Sequence, residues 1–194
     1  MRAGPKVVYS RTRVAARVAS LGRSISRDYA GRTVDIVVIL ENAFVFAADL
    51  VRRISRPMVC HFVRTETREF KLDGRDQREV FFSRHPDLRE RHVLLVDAVL
   101  RTGVTQDFLV RRLMESRPRS LRMAVLVDKP QDRRVNLKPD YFGFSAASKY
   151  LVGYGLAGDR GTYRNLPYVG VLHNAARRGA GSTPRSGPRP RRVR

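Results

Sequence analysis

The residues best suited to chemistry in this chain lie in one stretch, Val93-Leu94-Leu95-Val96-Asp97-Ala98-Val99-Leu100-Arg101-Thr102-Gly103-Val104-Thr105. Four apolar residues lead to a carboxylate, a Thr-Gly-x-Thr turn follows, and residues 106–115 form an amphipathic segment. That order predicts a buried strand, a tight turn and the N-terminus of a helix. Free backbone N–H groups, the positive end of a helix dipole and two hydroxyls make such a turn a receptor for a phosphate monoester. Thr102, Gly103 and Thr105 are the phosphate-binding candidates, with Gly103 allowing close backbone approach.

The elements that must position this turn follow from periodicity. Val14, Val18, Leu21 and Ile25 recur at helical spacing, predicting a helix over 12–29 that stops at Gly31. Residues 34–40 are almost uninterrupted apolar and β-branched, as in a strand buried on both faces of a parallel sheet. A turn at Glu41-Asn42 leads to a helix over 43–54, which Pro57 ends, and residues 58–63 form the next strand. Residues 64–79 are highly charged and without clear period, reading as a mobile loop with room for a hairpin, 80–83 supplying one arm. Another buried strand covers 122–127 and is broken by Lys129-Pro130; short strands at 141–144 and 150–153 and a last ordered piece at 163–172 follow. Strands alternating with helices predict an α/β fold with a largely parallel sheet, in which ligands gather at the carboxyl ends of the strands.

Composition narrows the function classes. The 194 residues suffice for one substantial domain, expected over 1–174, and 42% hydrophobic content supports a packed core. The net charge is +21; residues 175–194 hold seven Arg and no acid, which leaves +14 for the rest. Both parts favour polyanionic partners, and the Gly/Pro/Ser/Arg-rich tail has too few apolar residues to fold. The single cysteine, Cys60, excludes an internal disulfide and fits a reducing, cytoplasmic compartment; its apolar surroundings (58–63) predict core packing. Histidines 61, 85, 92 and 173 lack ligand spacing, and no apolar run is long enough to span a bilayer. Seven basic residues and no acid within the first 27 resemble a transit peptide, but the helical apolar spacing there favours a core-facing helix.

Several stretches together resemble the purine phosphoribosyltransferases that salvage hypoxanthine and guanine, particularly bacterial ones. They are Ile25-Ser-Arg-Asp-Tyr-Ala-Gly31, Leu40-x-x-Ala-Phe-Val-Phe-x-Ala-Asp-Leu50, the 93–105 stretch, Val127-Asp-Lys-Pro130, Lys149-Tyr-Leu-Val-Gly-Tyr-Gly-Leu156 and Tyr163-Arg-Asn-Leu-Pro-Tyr-Val-Gly170. They span most of residues 12–172 in the family's order. The resemblance implies a type I phosphoribosyltransferase-like fold: a central, mostly parallel five-stranded sheet flanked by helices, with a small hood. It also implies the joining of a purine to 5-phosphoribosyl-1-pyrophosphate with Mg²⁺, release of pyrophosphate, and a dimer or tetramer.

Carried over residue by residue, the resemblance divides the site. Thr102, Gly103 and Thr105 stand where the family binds the 5′-phosphate. Lys129 matches the donor to the purine six-oxo group, Tyr150 replaces the aromatic stacking partner, and the Leu151 backbone matches the group that bonds the ring edge. Arg164 matches an arginine near pyrophosphate. The family's two adjacent ribose and metal acids are here Asp97 and Ala98, and its purine-side base is Arg101, which stays protonated and cannot accept a proton. Leu-Lys-Gly at the pyrophosphate becomes Leu40-Glu41-Asn42, the Ser-Tyr-Gly lid becomes Arg64-Thr-Glu-Thr67, and the second metal acid becomes Ala157, with Asp159 close by. Asp97 and Asp159 are then the metal candidates. Val96-Asp-Ala-Val-Leu100 also resembles a motif of the RNA-binding pyrimidine-operon attenuators. The expected function is binding of a purine base or mononucleotide with weak or lost transfer. The alternatives are an active, atypical salvage transferase and an RNA-binding regulator that uses the basic tail.

Overall fold

The computed structural model describes residues 4–72, 75–82, 86–147 and 150–172. In chain order these give β1 (Lys6–Tyr9), α1 (Arg11–Asp28), β2 (Val34–Leu40), α2 (Phe44–Val51), β3 (Met58–Leu72), β4 (Arg75–Phe82) and β5 (His92–Leu100). Then come α3 (Val104–Met114), β6 (Ser120–Asp128), β7 (Tyr141–Ser145), β8 (Leu151–Val152) and β9 (Val169–Val171), with 3-10 turns at Pro130–Asp132 and Asp159–Gly161. The main sheet runs β4-β3-β2-β5-β6-β7, and a second sheet runs β1-β9-β8. Five strands from β3 to β7 pair in parallel, while β4 pairs antiparallel with β3. The five-stranded parallel core and its flanking helices agree with the expected fold.

Alternation along the central strands builds two cores from one sheet. Ile36, Val38, Leu94, Val96 and Leu126 join the cluster under α1 and α2. Their immediate neighbours Val37, Ile39, Leu95 and Val125 join Leu109 and Leu113 of α3 on the opposite face. Successive strand side chains point to opposite faces, so an uninterrupted apolar run is what a doubly covered strand requires.

Helix α1 begins at Ser10, whose hydroxyl accepts from the Arg13 N–H at 3.3 Å. It buries Val14, Val18, Leu21 and Ile25, the predicted stripe. Gly22 is where it meets the end of α2, because a Cβ there would stand 2.4 Å from Arg53 Cβ and 2.6 Å from Arg53 O. Ser26 locks the same joint: its buried hydroxyl donates to Gly22 O at 2.7 Å and accepts from Ser55 N at 3.0 Å.

Two expectations are corrected, and one strand was not foreseen. Residues 64–72 and 75–79, read as a loop with room for a hairpin, belong to the hairpin itself: β3 and β4 are its antiparallel arms, in one register from Val63↔Phe82 to Arg68↔Gln77 and shifted before Leu72↔Arg75. Charged residues obscured its period, although Asp73-Gly74 is a dipeptide that favours two-residue hairpin turns. Cys60 is exposed rather than packed in the core, and so are Val59 and Phe62. In the sheet β3 lies outside β2, further from the centre than β2 and β5, on which α2 packs. Strand β1 carries no expectation at all; it is held by pairing with β9, roughly 160 residues away in sequence, which no local pattern announces. The expected tail over 175–194 lies outside the described residues, as do Ser83 and Lys149. Among the described residues no helix is long and apolar enough to cross a membrane.

Replacing glycine by alanine inside an exposed helix raises stability by about 1 kcal/mol. At Gly22 the clash with Arg53 outweighs that gain, since overpacking costs about 1–3 kcal/mol. Gly22→Ala should therefore lower the unfolding free energy by about 1–2 kcal/mol in a urea titration. A midpoint equal to or above that of the wild type would overturn the close-packing account.

Candidate active site

The carboxyl ends of β2, β5 and β6 lie at one edge of the parallel sheet, and each runs directly into candidate residues. Glu41 and Asn42 follow β2, Arg101 to Thr105 follow β5, and Lys129 follows β6.

The turn after β5 has the predicted shape. Gly103 adopts φ 81° and ψ −6° as the residue capping α3, and its carbonyl accepts the Asp107 N–H at 2.8 Å. Glycine is required twice over: the conformation is left-handed, and a Cβ would lie 2.7 Å from Val135 Cγ2. Thr102 and Thr105 flank it, both partly buried. Strand β5 does not stop at the acid but continues to Leu100, so Asp97 lies inside the strand.

A second loop clamps this turn. Lys129 N donates to Leu100 O at 3.0 Å, and Arg134 N donates to Thr102 O at 2.9 Å. Arg133 reaches the Arg101 carbonyl through Nη1 at 3.1 Å and forms an ion pair with Asp128 through Nη2. Sequence reading missed Arg133 and Arg134; the only available signal was a charged run after Lys129-Pro130. Lys129 is buried rather than a solvated surface charge, and burial lowers its pKa, with Arg101 adding to the decrease and Asp132 opposing it. A buried ammonium at the sheet edge suits a strong hydrogen bond to a carbonyl oxygen. Arg101 itself is exposed at the turn.

Asp97 is fully enclosed. Its Oδ2 accepts from Gln106 Nε2 at 2.5 Å and its Oδ1 from Ala98 N at 2.6 Å. Burial raises its carboxyl to about 6, against the lowering effect of Gln106 and of the Ala98 and Val99 N–H groups. Gln106, also missed in the sequence, thus ties the strand acid to the first turn of α3. Ala98 points the other way, into the apolar cluster under α1 and α2. A carboxylate at position 98 would enter that core, so the missing neighbour of Asp97 is replaced by packing.

Glu41, Asn42 and Arg164 do come together. Arg164 donates through Nη1 to Asn42 Oδ1 and to Gly155 O, both at 2.8 Å, and through Nη2 to Glu41 Oε2 at 3.1 Å. Arg64 lies 3.5 Å from the other oxygen of Glu41. A glutamate in place of lysine would repel a polyphosphate, and here two guanidinium groups offset its charge. The Leu40–Glu41 peptide bond is cis. The 153–156 turn packs here as well, with Tyr154 O–H donating to Asp49 Oδ2 at 2.6 Å. Tyr150 is exposed and donates to Ala157 O at 3.3 Å, and Leu151 is buried in β8.

Asp159 is exposed in its 3-10 turn, and among the described residues no group of three or more His, Cys, Asp or Glu is placed to hold a metal. With Asp97 committed to Gln106 and Ala98, and alanine at 98 and 157, the donor set does not fit an ion held by the protein itself.

The raised carboxyl of Asp97 has a defined pH signature. The folded chain holds this proton more tightly than the unfolded one, whose value is 3.8. The stability this adds is full below that pH and is lost as pH rises through about 6. Between pH 7 and pH 4, wild type should gain roughly 2–3 kcal/mol relative to Asp97→Asn. Parallel pH slopes for the two proteins in denaturant unfolding would show that the carboxyl is not enclosed.

Comparison with known proteins agrees with this geometry. Residues 7–157 match the phosphoribosyl transferase domain family. The hypoxanthine-guanine phosphoribosyltransferase of Streptococcus pneumoniae is 32% identical over 167 residues, covering 86% of this chain and 92% of that protein. The Mycobacterium avium enzyme of the same description is 31% identical over 172 residues, covering 86% and 84%. Among solved structures, a hypoxanthine phosphoribosyltransferase from Staphylococcus aureus superposes with a TM-score of 0.80 at 27% identity, covering 86% of this chain and 90% of that one. A hypoxanthine-guanine phosphoribosyltransferase from Bacillus anthracis gives 0.77 at 27% identity, covering 86% and 96%. Similarity along most of the chain, to a family model, to curated relatives and to solved structures alike, leads to one conclusion: this protein belongs to the purine phosphoribosyltransferase family and has its type I fold.

Proposed function

We propose that the site binds purine mononucleotides of the IMP and GMP type and that transfer from phosphoribosyl pyrophosphate is slow or lost. The observation that carries this reading is the contrast within one turn. Gly103 keeps the left-handed conformation with which the turn presents the N-terminus of α3 to a phosphate, while Arg101, two residues before it, is a permanent cation. Lys129, whose backbone N–H is bonded to Leu100 O and whose side chain is buried, carries an ammonium donor suited to a six-oxo purine rather than to the amino group of adenine. Tyr150 and the Leu151 backbone complete the purine side; Asp97, whose two oxygens are held by Gln106 and Ala98, would have to exchange one of those bonds to accept from a ribose hydroxyl. Joining the purine nitrogen to the sugar releases the N–H proton of the ring. Arg101 cannot take it, and removing a general base reduces rates by about 10²- to 10⁴-fold.

A second reading, an active but atypical salvage transferase, is favoured by the Glu41 pairing. Arg164 and Arg64 keep a net positive charge beside the β2 turn despite the glutamate, so a pyrophosphate group can still be attracted there. One assay separates the two. Guanine or hypoxanthine is mixed with the Mg²⁺ salt of phosphoribosyl pyrophosphate, and mononucleotide formation is followed. Turnover below roughly 10⁻² s⁻¹, with a thermal shift from IMP or GMP but not AMP, is expected; turnover near roughly 1 s⁻¹ or above establishes the second reading. Arg101→Asp should raise turnover by tenfold or more if the missing acceptor limits the rate. An unchanged rate would place the limitation elsewhere. Ala98→Asp is the wrong rescue, because it buries a carboxylate among apolar side chains and should destabilise the fold by about 2–4 kcal/mol.

A further inference from the structure

A groove of about 510 Å³ runs between α1 and β7 and shares no lining residue with the cradle. Arg13, Ala16, Arg17 and Ser20, one face of α1, form one wall; Tyr9, Phe142 and Phe144 contribute aromatic surface, and no acid lines it. Tyr9 and Phe144 stack with ring centroids 4.0 Å apart and an interplanar angle of 11°. The Arg13 guanidinium lies 5.3 Å from the Tyr9 ring and 5.6 Å from the Phe144 ring. Arg17 is fixed through Nε, which donates to Gly143 O at 2.5 Å. Phe142 remains exposed on the edge strand of the main sheet.

From this arrangement we propose that the groove between α1 and β7 binds single-stranded nucleic acid, one base stacking on Phe142 and its flanking phosphates lying on Arg13 and Arg17. The volume fits one nucleotide unit, and aromatic faces interleaved with guanidinium groups are what base stacking and phosphate pairing need. A strand, rather than a free nucleotide, accounts for the surrounding charge. Helix α1 carries Arg11, Arg13, Arg17, Arg23 and Arg27 with no acid before Asp28. The chain's excess of +21 continues through seven Arg within 175–194. A mononucleotide would engage two of these cations, whereas a polyphosphate backbone can engage many. A duplex keeps its bases stacked inside and cannot present one to Phe142.

The proposal stands apart from the transferase reading, because neither Arg13, Arg17 nor Phe142 belongs to the cradle. The probe is a labelled oligouridylate of about ten nucleotides carrying 4-thiouridine, with the full-length chain. Wild type should bind it, with crosslinks in the peptides of α1 and β7. Arg13→Ala with Arg17→Ala should weaken binding by about tenfold or more and flatten the salt slope by about 1.4, or 0.7 for each phosphate released. Phe142→Ala should weaken binding several-fold at unchanged slope. Because Arg17 also holds Gly143, Arg13→Glu alone serves if the double variant melts early. Mononucleotide binding at the cradle should be unchanged in all of them. The proposal is overturned by no binding to wild type, by variants that bind as wild type does, or by crosslinks confined to 175–194. Displacement by uridine monophosphate as readily as by the oligomer would overturn it too. So would variants that alter the oligomeric mass instead, which would make the groove a contact between two copies of the chain.

Discussion

The structure depends on covering a parallel sheet on both faces. Parallel strands need long crossovers, and the connecting helices occupy the two faces, so central strands must be apolar on every residue. β2 and β5 meet this demand almost without interruption, and β6 meets it from Met123 onward. The same constraint directs polar chemistry elsewhere. With the faces sealed, the functional groups collect where β2, β5 and β6 run out, and there the chain places Glu41, Arg101 to Thr105 and Lys129. Asp97 and Asp35 both lie within covered strands, and each is tolerated because its two oxygens are satisfied, Asp97 by Gln106 and the Ala98 N–H and Asp35 by His61 and Arg91.

Arginine organises much of what surrounds that edge. Arg133 spans from Asp128 to the Arg101 carbonyl, joining the ends of β6 and β5. Arg164 joins the β2 turn to the 153–156 turn through Asn42, Glu41 and Gly155. These guanidinium groups act through geometry as well as charge, since a planar fork with several donors can hold two backbone segments at once. A basic composition that reads in bulk as attraction for polyanions is thus partly spent inside the fold, while α1 and the segment beyond 174 hold two further concentrations of it.

The loss of the second strand acid has a structural counterpart. Ala98 is buried in the cluster under α1 and α2, so the position has been absorbed into the core. Arg101, by contrast, is exposed at the turn, where a side chain can be exchanged at little expense to packing. The two departures from the family's pattern therefore differ in kind: restoring a carboxylate at 98 acts on the core, and at 101 on the site alone.

Much of this was legible in the order of residues. The apolar runs of β2, β5 and β6, the helical stripe of α1 and the Thr102-Gly103-x-Thr105 turn are local patterns, and local patterns follow from the alternation of strands and the pitch of helices. What depended on distant partners was not legible. The full extent of the β3–β4 hairpin hid among charges, β1 exists through its pairing with β9, and Cys60 is exposed on β3, outside the central strands. The environments of the site residues belong to the same class: the burial of Lys129, the enclosure of Asp97 by Gln106, and the clamp of Arg133 and Arg134 over the turn. By itself the sequence determined the central apolar strands β2, β5 and β6, the stripe of α1 and the turn at Thr102 to Thr105, because those follow from short-range steric and hydrophobic rules. Tertiary structure alone decided which charges are paired, which carboxyl is sealed from water and which faces stay open, because each of these is set by segments that meet only once the chain has folded.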